Sequence, residues 1–152
     1  MRKAIRTLVA FVVAALVAAT ASSIFSTQMV IAGLQSLGVS VPLNTRLIMT
    51  FQDFAILQTL LPVVAACYLV GFLLAALGHY KLRGNRLAWY VTAGGSALLV
   101  ALLVLSAVLQ LMPVAGARTA IGLLTQTLAG AIGGYVFSLL TTQRKNRSAY
   151  RG

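Results

Sequence analysis

Long uncharged and mostly apolar runs alternate along the chain with short segments that carry the charges. The uncharged runs span residues 7–45, 54–80, 87–117 and 119–143. A bilayer core about 30 Å thick is crossed by ~20 helical residues at about 1.5 Å each, so each run is long enough to cross once. The pattern predicts four transmembrane helices, at about 7–34, 54–79, 87–112 and 119–142.

The segments between the predicted helices indicate how they are connected. Residues 81–86 form a short basic turn, and residues 112–118 contain Pro113 and Gly116, which end one helix and permit a reversal. We therefore expect an all-α fold with two antiparallel hairpins in one bundle, and a single domain over 1–152. The segment 35–53 is predicted to be non-helical, with apolar residues that favour the membrane interface.

Composition agrees with this pattern. Of the 152 residues, 60% are hydrophobic and 9% are charged, and the mean hydropathy is +0.95. Soluble domains carry roughly a quarter charged residues, so this chain cannot cover itself in water. The single cysteine excludes a disulfide framework.

The charges are strongly asymmetric, with twelve lysines and arginines against one acid. Ten cations lie before the first helix, between the second and third, or in the basic tail 143–152, and Arg46 and Arg118 lie in the alternate gaps. Because cytoplasmic loops are enriched in Lys and Arg, we expect a multi-pass protein of the cell (inner) membrane with both termini in the cytoplasm. The basic rim should attract anionic lipid headgroups, and nucleic acid is not an expected partner.

The N-terminus has a competing interpretation. Residues 2–18 resemble the charged and apolar regions of a signal peptide, and Ala19-Thr20-Ala21 resembles a cleavage site. We favour an uncleaved first helix because the uncharged stretch continues past Leu34. Cleavage after residue 21 would leave three helices in the same orientation.

Small residues recur at helical spacing, as required for close packing of helices in lipid. In the fourth helix, Gly130 and Gly134 form a G-x-x-x-G pair, with Gly122 on the same ridge and Gly133 alongside. One interpretation is a packing seam inside a single bundle. The other is an interaction surface for a homo-oligomer or another membrane protein.

Polar residues within or near the helices are the second candidate site. The set comprises Gln28, Gln58, Gln110, Gln126, Asp53, Arg46 and Arg118. The four glutamines should lie toward the external half, where they either join helices by hydrogen bonds or form a shared polar site. Asp53 is expected to cap the second helix or to pair with Arg118.

The remaining reactive residues argue against catalysis. The chain has one histidine, His79, one cysteine, Cys67, and one carboxylate side chain, Asp53. These are too few for a bis-histidine haem, a thiol pair or a multidentate metal site, so we expect no catalytic residues, no cofactor and no metal. We favour a non-catalytic membrane subunit or scaffold that acts through small-residue helix faces. The alternative is a small homo-oligomeric channel or transporter with a pathway lined by Ser, Thr and Gln.

Overall fold

The computed structural model describes residues 2–38, 40, 42–82, 84–109 and 119–142, apart from the side chains of 2, 3, 50, 53–60, 82, 109 and 142. The described residues form four helices and contain no strand, which confirms the all-α class. The helices are α1 Arg2–Ser36, α2 Leu43–Leu82, α3 Arg86–Leu109 and α4 Ala120–Thr142. Each contains a stretch long and apolar enough to cross a membrane.

Local signals explain where the helices begin and end. After α1, Gly38 adopts a φ of 79°, and its N–H donates to the carbonyl of Gln35, which closes the last turn. The side chain of Asn85 accepts from the N–H of Leu87 at the start of α3. Thr119 accepts from the N–H of Gly122 in the same way at the start of α4. The predicted turn at 112–118 lies outside the described residues.

The start of α2 differs from the prediction. Residues 43–53 are helical, so the expectation of a non-helical segment over 35–53 is wrong for this part. Residues 43–61 contain no Gly or Pro, and the carbonyl of Pro42 accepts from the N–H of Arg46 in the first helical turn. A charge can end a membrane span without ending a helix. Asp53 therefore lies well inside α2, and its proposed role as an N-terminal cap is wrong.

The helices pack in the order α1, α4, α3, α2, with α2 returning to α1. Contacts fix their directions. Arg6 of α1 donates to the carbonyl of Leu140 at the end of α4, and Arg86 at the start of α3 donates to the Thr141 hydroxyl. The starts of α1 and α3 thus meet the end of α4. We call this the basic end of the bundle, and it also contains Lys81 in the last turn of α2.

The interior is built from small residues and aromatic rings. Buried alanines lie on all four helices, and Tyr68, Phe72, Tyr90 and Phe137 fill the centre. Large aliphatic side chains such as Leu8, Leu73 and Leu124 instead point outward, with about 58–65% of their surface exposed. The bundle therefore has small residues inside and an apolar exterior.

Candidate functional site

The glycine face of α4 packs against α3 of the same chain. A Cβ atom added at Gly130 would lie 2.5 Å from the carbonyl oxygen of Gly94 and 2.8 Å from the Cβ of Leu98. A Cβ at Gly134 would lie closer still to the carbonyl oxygen of Tyr90. Only residues without a side chain allow the two backbones to approach this closely.

The neighbouring glycine of the same helix faces α1. A Cβ at Gly133 would lie 2.8 Å from the Cβ of Ala18 and 2.9 Å from the hydroxyl of Tyr68. Gly122 is also buried. These glycines thus pack within the bundle, and the face has no open surface at these positions for another subunit.

A polar seam joins the middle of α1 to the second turn of α4. The hydroxyl of Ser22 donates to the side-chain oxygen of Gln126, and the amide nitrogen of Gln126 donates to the carbonyl of Ser22 at 3.1 Å. Gln126 is fully buried, as are the α1 residues Ser23 and Ser26 beside it. Because the polar atoms of Gln126 bond within the chain, they join helices and do not line an open path.

The other members of the predicted polar site do not assemble around this seam. Gln28 is exposed and lies six residues beyond Ser22, roughly 9 Å further along α1. Arg46 lies in the first turn of α2 and is half-buried. The side chains of Asp53 and Gln58, and residues Gln110 and Arg118, lie outside the described part of the chain, as does the predicted pairing of Asp53 with Arg118.

An aromatic cluster that the sequence analysis missed fills the half of the bundle next to the basic end. The ring of Phe72 stacks on Phe137 at a centroid distance of 4.4 Å and meets Phe11 and Tyr90 edge to face at 6.1 and 5.7 Å. Tyr68 lies one turn from Phe72 on α2, and its hydroxyl donates to the carbonyl of α4 residue 130 at 3.0 Å. The spacing of four between positions 68 and 72 was a usable signal for a shared face.

The aromatic residues next to the turn at 81–86 differ in exposure. Tyr80 is 84% exposed, whereas Tyr90 is buried in the aromatic cluster. Trp89 covers two glycines, since a Cβ at Gly78 or Gly84 would lie within 3.0 Å of its ring system. Trp89 thus holds the end of α2 against the start of α3.

A cavity of about 770 Å³ opens at the basic end between α2 and α3. It is lined by Ala76, His79, Tyr80, Lys81, Arg86 and Tyr90. The guanidinium of Arg86 is held in place by the Thr141 hydroxyl at 2.7 Å and lies 5.3 Å from the centre of the Tyr90 ring. We call this the basic cavity.

Two apolar depressions lie nearby on the bundle surface. The first, the α1–α2 cleft, has a volume of about 490 Å³ and is lined by Phe11, Leu69, Phe72, Leu73 and their neighbours. The second, the α2–α3 groove, has a volume of about 340 Å³. Small residues line much of the groove, namely Ala66, Cys67, Gly71, Ser96 and Ala97.

Comparison with known proteins supplies no relative: no family model, curated protein or solved structure matches the chain. Within the described residues, no three His, Cys, Asp or Glu side chains approach closely enough to hold a metal ion. Cys67 is a free thiol at the half-buried edge of the α2–α3 groove.

Proposed function

We propose that the chain is a non-catalytic integral membrane protein that acts as a subunit or scaffold. Its four helices would cross the bilayer as two antiparallel hairpins. The support is the distribution of side chains: large aliphatic residues point outward from all four helices, while alanine, glycine, serine and aromatic residues fill the interior. An apolar exterior of this extent is costly in water and suits a lipid environment.

The proposed orientation has both termini in the cytoplasm. Arg6, Lys81 and Arg86 lie at the basic end, where α1 starts and α4 ends, and Arg46 lies near the opposite end. Cytoplasmic segments are enriched in Lys and Arg, and this enrichment supports a cytoplasmic location for the basic end. A cytoplasmic reporter fused after Gly152 should be active. Activity of an exported reporter at the same position would contradict the orientation.

The α2–α3 groove is the surface through which the chain would act as a scaffold. The glycine ridge of α4 is occupied by the chain's own helices, whereas the groove is open to the outside at Ala66 and Ser96. Small residues let another backbone come close, and packing of this kind supplies much of helix association in lipid. We propose that a membrane-spanning helix of a second copy docks here. Another membrane protein is the alternative occupant.

The thiol in the groove allows a direct test in native membranes. Since Cys67 is the only cysteine of the chain, copper-phenanthroline oxidation should give a band of twice the chain's mass if two copies meet at this groove. Ser96→Leu should abolish that band because the larger side chain fills the groove. Thr92→Leu is the matched control, since it lies one turn away on α3, is also exposed and does not line the groove.

A photo-crosslinking residue at Val100 extends the test to other partners. Val100 lines the groove and is half exposed. A hetero-assembly would give one crosslinked species whose mass differs from that of two copies of the chain. Ser96→Leu should abolish this species, and Thr92→Leu should retain it. The absence of any crosslinked protein from both Cys67 and position 100 would overturn the scaffold proposal.

The channel or transporter alternative has less support. Its pathway needs Ser, Thr and Gln side chains that face water, yet Ser22 and Gln126 bond to each other in the interior. The exposed hydroxyls of Thr92, Ser96 and Ser106 each donate to a carbonyl of their own helix. Ion flux through liposomes that contain the purified protein would restore this alternative.

A further inference from the structure

We infer that the basic cavity and the α1–α2 cleft together form one binding site for an anionic lipid. The headgroup would occupy the basic cavity, and an acyl chain would lie in the cleft. This inference rests on the proposed membrane location of the bundle, and the site is separate from the α2–α3 groove.

The two cavities are adjacent. Ala76 and Tyr90 line both of them, so the polar space at the end of α2 lies next to the apolar space between α1 and α2. The cleft is lined by Leu8, Leu69 and Leu73 at its outer side and by Phe72 of the aromatic cluster at its inner side. A ligand that fills both parts needs a polar end and an apolar end.

The basic cavity is positively charged, so the polar end of its ligand should be negatively charged. Lys81 is exposed in its wall, and Arg86 is positioned there by Thr141 and the Tyr90 ring. Arg86 is also the first residue of α3, where the helix dipole favours an anion. The single acidic side chain of the chain belongs to Asp53, roughly 40 Å from Lys81 along α2. An anionic headgroup therefore meets cations without a competing acidic side chain.

The apolar cleft distinguishes a lipid from a free anion. Inorganic phosphate could use the cations but would leave the cleft unoccupied. A neutral lipid could use the cleft but gains little by leaving bulk lipid, because bulk acyl chains are as apolar as the cleft. We therefore expect the site to prefer an anionic lipid over a neutral one, and we expect binding to require the apolar cleft.

The test uses the full-length protein purified in a neutral detergent and analysed by native mass spectrometry. Dioleoyl phosphatidylglycerol and dioleoyl phosphatidylcholine are added separately at equal concentrations. The wild type should retain the anionic lipid several-fold better. Since a basic residue near an anionic headgroup contributes a factor of about five in binding, Lys81→Gln should lower retention of phosphatidylglycerol by about that factor and leave phosphatidylcholine unchanged.

Two further variants test the cleft and the location of the charge. Ala76→Phe fills the junction of the two cavities and should reduce binding, whereas Leu77→Phe, at an exposed neighbouring position that lines neither cavity, should not. Arg46→Gln removes a cation near the opposite end and should leave retention unchanged. The emission of Trp89, the chain's single tryptophan, checks that each variant is folded.

Each other outcome overturns the inference. Equal retention of the two lipids would remove the charge selectivity. Competition by inorganic phosphate, with no effect of Ala76→Phe, would identify a site for a free anion. If Lys81→Gln and Arg46→Gln lowered retention of phosphatidylglycerol equally, the lipid would be attracted non-specifically by the charge of the protein. None of these results depends on the reporter fusion after Gly152, so failure of the lipid site and failure of the membrane orientation are distinguishable.

Discussion

From the close contact between α3 and α4 we predict that Gly130→Ala destabilises the bundle. A methyl group at this position would lie 2.5 Å from the carbonyl oxygen of Gly94, although ordinary contact begins at 3.4 Å. The obstacle is backbone, which cannot rotate away as a flexible side chain would. The α3 backbone must therefore retreat by about 0.9 Å, the difference between the two distances.

The cost of this movement can be compared with the gain from alanine. A gap of 0.5–1 Å forfeits about a quarter to a half of each dispersion contact across the interface, and overpacking of this kind costs ~1–3 kcal/mol. Alanine gains about 0.5–1 kcal/mol over glycine inside a helix. The net expectation is a loss of up to about 2.5 kcal/mol, and a deficit of about 1–3 kcal/mol relative to the same substitution at an unobstructed helical position. For a chain of this size that deficit corresponds to a melting temperature about 2–12 °C lower than that of the unobstructed variant.

Gly33→Ala is the matched control because Gly33 is also helical and no heavy atom lies within 4 Å of the added Cβ. It should leave the melting temperature unchanged or raise it slightly. Thermal unfolding in detergent, followed by tryptophan emission and by circular dichroism, measures both variants. If Gly130→Ala proved as stable as Gly33→Ala, the close approach of α3 and α4 would be refuted.

Three further results are expected from the same unfolding assay. Ser22→Ala and Gln126→Leu should be non-additive, with a coupling of ~0.6 kcal/mol and no more than ~2 kcal/mol, and strict additivity would exclude their hydrogen bonds. Tyr68→Phe should cost ~0.5–1.5 kcal/mol because a buried carbonyl of α4 loses a donor, so unchanged stability would contradict that bond. Gly78→Ala should shift the emission of Trp89 to longer wavelength, since the new methyl displaces the ring, and an unchanged spectrum would contradict their contact.

The long apolar helices were predictable from sequence because charge is expensive inside a bilayer. Positions such as Lys81 and Arg86 interrupt the apolar runs, and the described helix boundaries fall close to them. The same reasoning failed at the start of α2. Arg46 and Asp53 limit where a span can lie in lipid, but the backbone of 43–53 remains helical because nothing there breaks its hydrogen bonds.

The functional faces were harder to predict because sequence spacing does not fix how a helix is rotated. The ridge that contains Gly130 and Gly134 was recognisable, yet only the partner helix decides whether it faces inward. Polar residues pose the same difficulty. Gln28 and Gln126 were expected at similar depth, but Gln126 turns toward Ser22 and Gln28 turns outward. Exposure depends on rotation as well as on depth.

The arginines at the basic end have a structural role besides setting orientation. The last turn of α4 contains no basic residue of its own, so no cation within that turn neutralises its terminal carbonyls and negative dipole. Arg6 of α1 donates to one of these carbonyls at 2.7 Å, and Arg86 of α3 binds the Thr141 hydroxyl at the same distance. The cations that are expected to hold this end in the cytoplasm thus also join the first and third helices to the fourth. Arg6 and Arg86 can make these bonds only when the end of α4 lies at the same end of the bundle as the starts of α1 and α3.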